Sequence, residues 1–208
     1  MQTPRSKRLF DVGVSGLLLL LLSPVFGLAF VVLALDMLLV PADRGPWLYR
    51  ERRISAGREF DVLKFRVLRV EAIGSIPSDS YARLLERDHE NLTRGGRVLK
   101  VAYLDELPQL VNVLRGEMSL VGPRPWPIPM VEKQRSDGYR YRDEVVAGWT
   151  GPAQVRKDMP RKTYSALELD LEYVEALKAW SGSRLVRHDI GVLWASLRTV
   201  ARRRGLRY

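Results

Sequence analysis

The chain has 208 residues, a formal net charge of +10 from 34 Lys+Arg against 24 Asp+Glu, no cysteine and two histidines. That length allows one ordinary domain, or a small domain with an appendage, and a hydrophobic fraction of 46% fits a chain that buries a real core. Zero cysteine removes disulfide scaffolds, thiolate zinc sites and cysteine nucleophiles; His89 and His188 are too far apart in sequence to form a metal site alone, and no G-x-S-x-G pattern surrounds any serine. The basic surplus points to an anionic partner: nucleic acid, a phosphorylated ligand or an acidic membrane surface.

The first element is apolar. No charge occurs from Val12 to Leu35, and about 20 mostly apolar residues are enough to cross a bilayer. Arg5, Lys7 and Arg8 resemble the basic region of a signal peptide, but the apolar stretch is long for one and no small-x-small cleavage site follows it. Ser23-Pro24 lies near the middle, where proline removes a helical N–H and clashes with the preceding turn, so a kink or break is expected. Cations flank both ends: Arg5, Lys7 and Arg8 before, and Arg44, Arg50, Arg52 and Arg53 after. A spanning helix should be asymmetric in this respect. Two readings stand: a helix that dips into the bilayer and returns to the same face, or a single kinked spanning helix.

Pro41 to Gly45 is a turn-rich boundary. Two extended segments follow, Trp47–Ile54 and Glu59–Leu68, joined by Ser55-Ala56-Gly57 as a hairpin. Alternation places Val62, Lys64 and Arg66 on one face of the second strand, a solvated face or a phosphate-facing pair of cations. Ser78–Asp88 has helical composition, and Asn91–Gly96 reads as a turn. Leu104, Leu107, Val111 and Leu114 recur at helical spacing up to Gly116, and Pro108 is tolerable only in the first turn. That spacing predicts a helix starting at about Leu104 or Asp105, with Asp105 at or beside the N-cap. Met118–Pro129 is too rich in proline for either regular element. Ser165 and Glu168 form a capping box for a helix carrying Leu167, Leu171 and Val174. The last segment aligns Val186, Ile190, Leu193, Trp194, Leu197 and Val200 along one stripe near Arg198, Arg202, Arg203 and Arg204; such a helix suits either a membrane interface or packing on the domain.

The sharpest local feature is Leu104-Asp105-Glu106-Leu107-Pro108-Gln109-Leu110. A carboxylate at a helix start is stabilised as the anion by the backbone N–H groups and the dipole. It can bind Mg2+ or attack phosphorus as a nucleophile. Phosphoryl chemistry also needs cations around the transferring group, and Lys64, Arg66, Lys100 and Arg124 are the candidates.

Several blocks together resemble the monotopic bacterial phosphoglycosyl transferases, also called bacterial sugar transferases. Lys7-Arg8, Asp11 and Ser23-Pro24 are similar to the opening of that family. Gly45-Pro46, Arg53, Gly57, Phe60 and Lys64-Phe65-Arg66 are similar to its second block. The run from Leu104 to Leu110 with Asn112-Val113-Leu114, Gly116 and Met118-Ser119-Leu120-Val121-Gly122-Pro123-Arg124-Pro125 resembles its signature almost residue for residue. Gly148, Thr150-Gly151 and Ala153-Gln154-Val155, then Asp170 and Tyr173-Val174, resemble its last block, with Asp189 in the closing helix.

The resemblance implies transfer of a phospho-sugar from a UDP-sugar to a polyprenol (undecaprenyl) phosphate with release of UMP. Asp105 would be the nucleophile and carry a covalent phospho-sugar; Glu106 would be its partner, and Mg2+ would bridge the diphosphate and the dyad, with Asp105 as metal ligand. Lys64, Arg66, Lys100, Arg124, Gln154, Arg156 and Asp170 would bind substrate. It also implies an α/β monotopic protein at the cytoplasmic face of a bacterial inner membrane, initiating exopolysaccharide or lipopolysaccharide assembly. A reentrant anchor over residues 1–40 would break at Ser23 and Pro24. A catalytic domain over 41–208 would hold a small β-hairpin region and several amphipathic helices. Departures from the family pattern are Glu51 and Ser55 for Gln and Gly, Lys100 for an arginine, and Arg156-Lys157-Asp158 for Asn-Gly-Arg, so that Arg156 or Lys157 stands in for the arginine. The sugar and the oligomeric state are left open, a homodimer included. The rival reading is a membrane-tethered basic adaptor for anionic lipid or nucleic acid. It leaves the Asp-Glu motif unexplained, and the arginines lack the continuous aromatic groove that single strands need, which makes nucleic acid the least favoured partner.

Overall fold

The computed structural model describes residues 3–76, 82–155 and 165–201. It begins with two helices, α1 (Arg5–Leu21) and α2 (Ser23–Leu39), bent by 58° across a break at Leu22. The break falls where the missing N–H of Pro24 requires it, in the first turn of α2. Ser23 Oγ donates to the Leu20 carbonyl at 2.8 Å, satisfying one acceptor that the end of α1 leaves open. Among the described residues no single helix is long and apolar enough to cross a membrane, but the bent pair passes that test together. Helix α2 is apolar apart from Ser23 at its start and Asp36 near its end: Ala29 and Leu33 face the rest of the protein, whereas Leu28, Val31, Leu35 and Leu38 are exposed.

Both ends of the bent pair are pinned to the same body. Near its start, the buried Lys7 Nζ donates to Asp189 Oδ2 at 2.5 Å and to the Val121 carbonyl at 3.1 Å. Asp11 accepts from Ser119 Oγ at 2.7 Å and from the Leu120 N–H at 3.2 Å, and Tyr173 Oη donates to Asp189 Oδ1 at 2.9 Å. Arg8 donates to the Val113 and Leu114 carbonyls at 2.6 and 2.7 Å, where a cation complements a helix C-terminus. Near its end, Asp36 Oδ2 accepts from the Gly95 N–H at 2.7 Å.

A hairpin follows: β1 (Leu48–Ser55) pairs antiparallel with β2 (Arg58–Phe65), Tyr49 lying opposite Lys64 and Arg53 opposite Phe60. The two turn residues, Ala56 and Gly57, both have positive φ (49° and 73°), the tight turn whose twist matches paired strands. Helix α3 (Val70–Gly74) is short, and α4 (Arg94–Val101) is capped by Thr93, whose Oγ1 accepts from the Gly96 N–H at 2.9 Å. Helix α5 (Gln109–Arg115) ends on Gly116 in the left-handed region. Asn112, on α5, accepts from the Leu63 N–H at 3.0 Å and donates to the Asp61 carbonyl at 2.8 Å, so one fully buried amide brackets the helix to β2. Strands β3 (Met118–Val121) and β4 (Trp126–Pro127), helices α6 (Ile128–Ser136) and α7 (Tyr141–Glu144), strand β5 (Ala147–Thr150) and helix α8 (Pro152–Val155) complete the middle of the chain. β4 adds to the other edge of β1, and β3 pairs with β5 in parallel. A Cβ on Gly148 would lie 2.1 Å from the Gly122 nitrogen, so only glycine permits that backbone approach. Helices α9 (Ala166–Ala179) and α10 (Gly182–Ala201) close the structure. The architecture is therefore mostly helical with two small sheets.

One core, built on Leu110, Val113, Leu120, Val121 and Tyr173, joins α5, β3 and α9; a second, with Phe65, Leu68, Leu92 and Leu99, sits beneath α2.

Four expectations change. Asn91–Gly96 is not a turn throughout, because Gly95 and Gly96 lie in the first turn of α4. Gly96 presses on the Val67 carbonyl and Gly95 on Val32 and Asp36, leaving no room for a Cβ. The helix expected from Leu104 begins instead at Gln109, after a 3-10 turn at Leu104–Glu106. Met118–Pro129 does hold short regular elements: β3 and β4 flank a loop that carries Pro123 and Pro125, while Pro127 ends β4 and Pro129 falls in the first turn of α6. Of the helix expected at Ser78–Asp88, the described part is a 3-10 helix, Ala82–Arg87. The capping box holds: Ser165 and Glu168 exchange hydrogen bonds at the start of α9. On α10 the buried face is Leu185, Asp189 and Val192, so most of the apolar stripe, Ile190, Trp194, Leu197 and Val200, points outward.

Candidate active site

The Asp-Glu pair sits on a strained turn. Tyr103 adopts φ 57° just before it, a left-handed conformation that costs a bulky residue on the order of 1–3 kcal/mol. Leu107 and Leu110, both buried, hold the turn from below. Asp105 is 4% exposed and belongs to the turn, not to a helix N-terminus. The dipole stabilisation expected for it is consequently absent. Burial, and then Glu106 beside it, push its carboxyl above the usual carboxylate range, against the pull of Lys64 and Lys100. Glu106 shifts the other way. Burial acts to raise it, but Arg124 Nη2, donating to Oε1 at 2.6 Å, together with Lys64 and Lys100, holds it well below that range. Two adjacent carboxyls are thus held in opposite electrostatic states.

Around the dyad the structure brings together Lys64, Lys100 and Arg124. Lys64 reaches from β2 and Lys100 from the last turn of α4, and both stand against Glu86: Lys100 Nζ bonds Glu86 Oε2, and Lys64 Nζ lies 3.9 Å from Oε1. Arg66 is not part of this group. It lies one residue beyond β2, fully buried, where its guanidinium donates to the carbonyls of Pro46 (2.8 Å), Leu68 (2.9 Å) and Asp43 (2.6 Å). The expected phosphate-facing pair is therefore one cation, and Arg66 instead fastens the loop that precedes β1.

Asp170 is buried and reaches the dyad only indirectly. It accepts from Arg142 Nη2 and from Tyr141 Oη, each at 2.9 Å. Arg142 in turn bonds the Arg124 carbonyl and stacks over Trp126 at 4.1 Å from the ring centre. Asp170 thereby orients the loop that presents Arg124. Gln154, on α8, has both amide atoms buried without a hydrogen-bond partner among the described residues, as expected of a group kept for a ligand. Arg156 lies outside the described residues. Ser23 and Pro24 form the helix break far along the chain from the dyad.

Two residues escaped sequence reasoning, Glu86 and Arg142, which are buried charges with no motif around them, and the partners of a third, Glu51, did too. Glu51 Oε2 bonds Arg53 Nη2 at 2.5 Å and its Oε1 accepts from the Ala82 N–H at 3.2 Å. Only tertiary contacts reveal such pairs, although Glu51 stood out as an acid where a neutral amide was expected.

Hard oxygen donors suit Mg2+, which commonly takes one or two carboxylates and completes its shell with water and substrate phosphates. The dyad offers that number, and among the described residues no group of three or more His, Cys, Asp or Glu forms a closed cage. Two carboxylates fit an Mg2+ that takes the rest of its shell from oxygens outside the protein.

A buried acidic dyad ringed by cations, on a small domain beside a bent apolar helix pair, is the kind of site that can accommodate a phosphorylated ligand. The family model described as bacterial sugar transferase matches residues 2–203, and the chain belongs to that family. It is 34% identical over 188 residues to the UDP-glucose:undecaprenyl-phosphate glucose-1-phosphate transferase of Escherichia coli (strain K12), covering 86% of this chain and 38% of that protein. It is 35% identical over 195 residues to the protein of the same name from Caulobacter vibrioides, covering 88% and 68% of the two chains. The undecaprenyl-phosphate glucose phosphotransferase of Komagataeibacter xylinus is 37% identical over 200 residues, covering 86% and 34%. The chain therefore spans well under half the length of two of these relatives.

Proposed function

We propose that this chain transfers a sugar 1-phosphate from a UDP-sugar to a polyprenyl phosphate, releasing UMP, by two displacements at Asp105. In the first, an Asp105 carboxylate oxygen attacks the phosphorus that bears the sugar, and the bond to the UMP oxygen breaks. In the second, an oxygen of the polyprenyl phosphate attacks the same phosphorus and the Asp105 carboxylate leaves. The carrying observation is the asymmetry of the dyad: Glu106 is clamped by Arg124, while Asp105 is buried without an equivalent partner among the described residues. Lys64, Lys100 and Arg124 would offset repulsion between the anionic nucleophile and the diphosphate. Mg2+, held by Asp105 and Glu106, would neutralise phosphate charge when bound. An adaptor that only binds anions leaves this arrangement without a purpose.

The pinned ends support the reading of a reentrant membrane anchor. Lys7 and Arg8 fix the start of the helix pair and Asp36 its end to one domain; in this reading the apex at Leu22-Ser23 enters the bilayer and the chain returns to its own face. Residues 1–40 are the anchor and 41–208 the catalytic domain, at the cytoplasmic face of the bacterial inner membrane. The outward stripe of α10, with Trp194 57% exposed, rests on the same surface.

The relatives' names make UDP-glucose the first donor to try. Incubated with UDP-glucose and Mg2+ but no acceptor, the protein should release one equivalent of UMP and gain the mass of a hexose phosphate. Polyprenyl phosphate should discharge that adduct. The Asp105→Asn variant should do neither. Turnover retained in that variant would overturn the assignment of the nucleophile.

A further inference from the structure

A cleft of about 760 Å³ opens where α2, the start of β1 and α3 meet. Its lining is chiefly Phe30, Trp47, Leu48, Tyr49, Arg50 and Ile73. That volume lies within the roughly 300–1,000 Å³ of small-ligand sites. Phe30 and Trp47 meet edge to face with ring centres 5.6 Å apart, yet each keeps about two fifths of its surface exposed, at 39% and 41%. This is an aromatic wall with nothing covering it among the described residues.

Its position favours one kind of occupant. The Phe30 side belongs to α2, whose exposed Val31 and Leu35 continue the apolar surface away from the cleft. An alkyl chain lying along α2 would pass into the cleft without leaving apolar contact. The other side ends at Tyr49, directly across the strand pair from Lys64 and therefore on the same face of the sheet. Lys64 is one of the cations acting on Asp105. Burial, and then Glu51, push the Tyr49 phenol up to about 12, so it stays an O–H donor. Arg50 is the only charged residue of the lining among the described residues. An apolar trough with a phenol at the end nearest the dyad and a guanidinium elsewhere in its wall complements a molecule with a long hydrocarbon tail and an anionic head. It complements a nucleotide-sugar poorly.

We infer that this cleft is the acceptor subsite: it holds the first isoprene units of the polyprenyl phosphate, with the phosphate at the Tyr49 end beside Lys64. The inference rests on the proposed reading of the chain as a polyprenyl-phosphate transferase.

The test uses the whole chain in lipid nanodiscs and a polyprenyl phosphate carrying a photoreactive diazirine on an early isoprene unit. Irradiation should label peptides containing Phe30, Trp47–Tyr49 and Ile73, and unmodified polyprenyl phosphate should compete the label away. Competed label elsewhere, with none on these peptides, overturns the subsite and leaves the transferase reading intact. No competed label anywhere, together with no UMP release from UDP-sugars, removes both. As a second measure, Ile73→Trp, which fills the trough, should raise KM for polyprenyl phosphate by about tenfold, the scale of one or two lost methylene contacts, while KM for the UDP-sugar stays unchanged. An unaltered acceptor KM in that variant also overturns the inference.

Discussion

Two buried clusters of charge in this protein are built from the same residue types and are finished differently. Around Lys7, every charge has a close partner: Lys7 meets Asp189, Asp11 takes two donors from β3, and Tyr173 donates to Asp189. Around the dyad, Glu106 is matched by Arg124 and Glu86 by two lysines, but the Asp105 carboxyl, unlike that of Asp11, takes no hydrogen bond from the described residues. A completed network joins α1 to β3 and α10 and serves architecture. The other leaves one carboxyl uncompensated among the described residues, which is where chemistry is to be expected.

That contrast can be broken by experiment. The largest effect should come from Asp105→Asn, lowering UMP release by at least about 10³-fold, as removal of a covalent nucleophile does. Its melting temperature should be unchanged or higher, because the variant removes an uncompensated buried acid. A clear loss of stability there would mean that the dyad is structural. Lys7→Met should do the opposite. It strands Asp189 and Asp11 and should cost about 3–5 kcal/mol in denaturant titrations, with the double variant Lys7→Met/Asp189→Leu recovering part of that. Arg124→Gln, which frees Glu106, should lower kcat by about 10²-fold with little change in melting temperature. Glu86→Gln should cost about 1–3 kcal/mol at neutral pH. Burial acts to raise the Glu86 carboxyl, but Lys64 and Lys100 outweigh it and the net shift is downward. Its stabilising contribution is therefore present above the unfolded value and lost as pH falls through the lower folded one, so variant and parent should converge below about pH 4. The smallest change in stability, within about 0.5 kcal/mol, is expected of Trp194→Ser on the outward face of α10, although its affinity for anionic vesicles should drop in a flotation assay.

Much of this was legible in the chain wherever the physics is local. Pro24 cannot donate a helical N–H, so the apolar helix had to break at Ser23-Pro24. Pro108 had to sit at a helix start and Gly116 past its end, and both do. Ser55-Ala56-Gly57 joins two strands of alternating residues, and Ser165 with Glu168 caps a helix through contacts three residues apart. The dyad was singled out by a helix start that the structure places later, at Gln109, so its weight in the sequence rests on the family resemblance.

Tertiary structure decided everything that depends on what a side chain meets across the fold. Lys64 and Arg66 are two residues apart and looked equivalent on the strand. The strand ends between them, so one faces the dyad while three converging carbonyls take up the other. Gly95-Gly96 reads as a turn by propensity and becomes helical because Val67 and Asp36 press too close for any larger residue. Glu86 and Arg142 carry no motif; only packing places them beside Lys100 and the Arg124 loop. Even the basic flanks of the apolar segment, visible from the start, took on a second meaning. Lys7 and Arg8 grip β3, α5 and α10, because buried polar atoms must find partners and the nearest ones came from more than a hundred residues away.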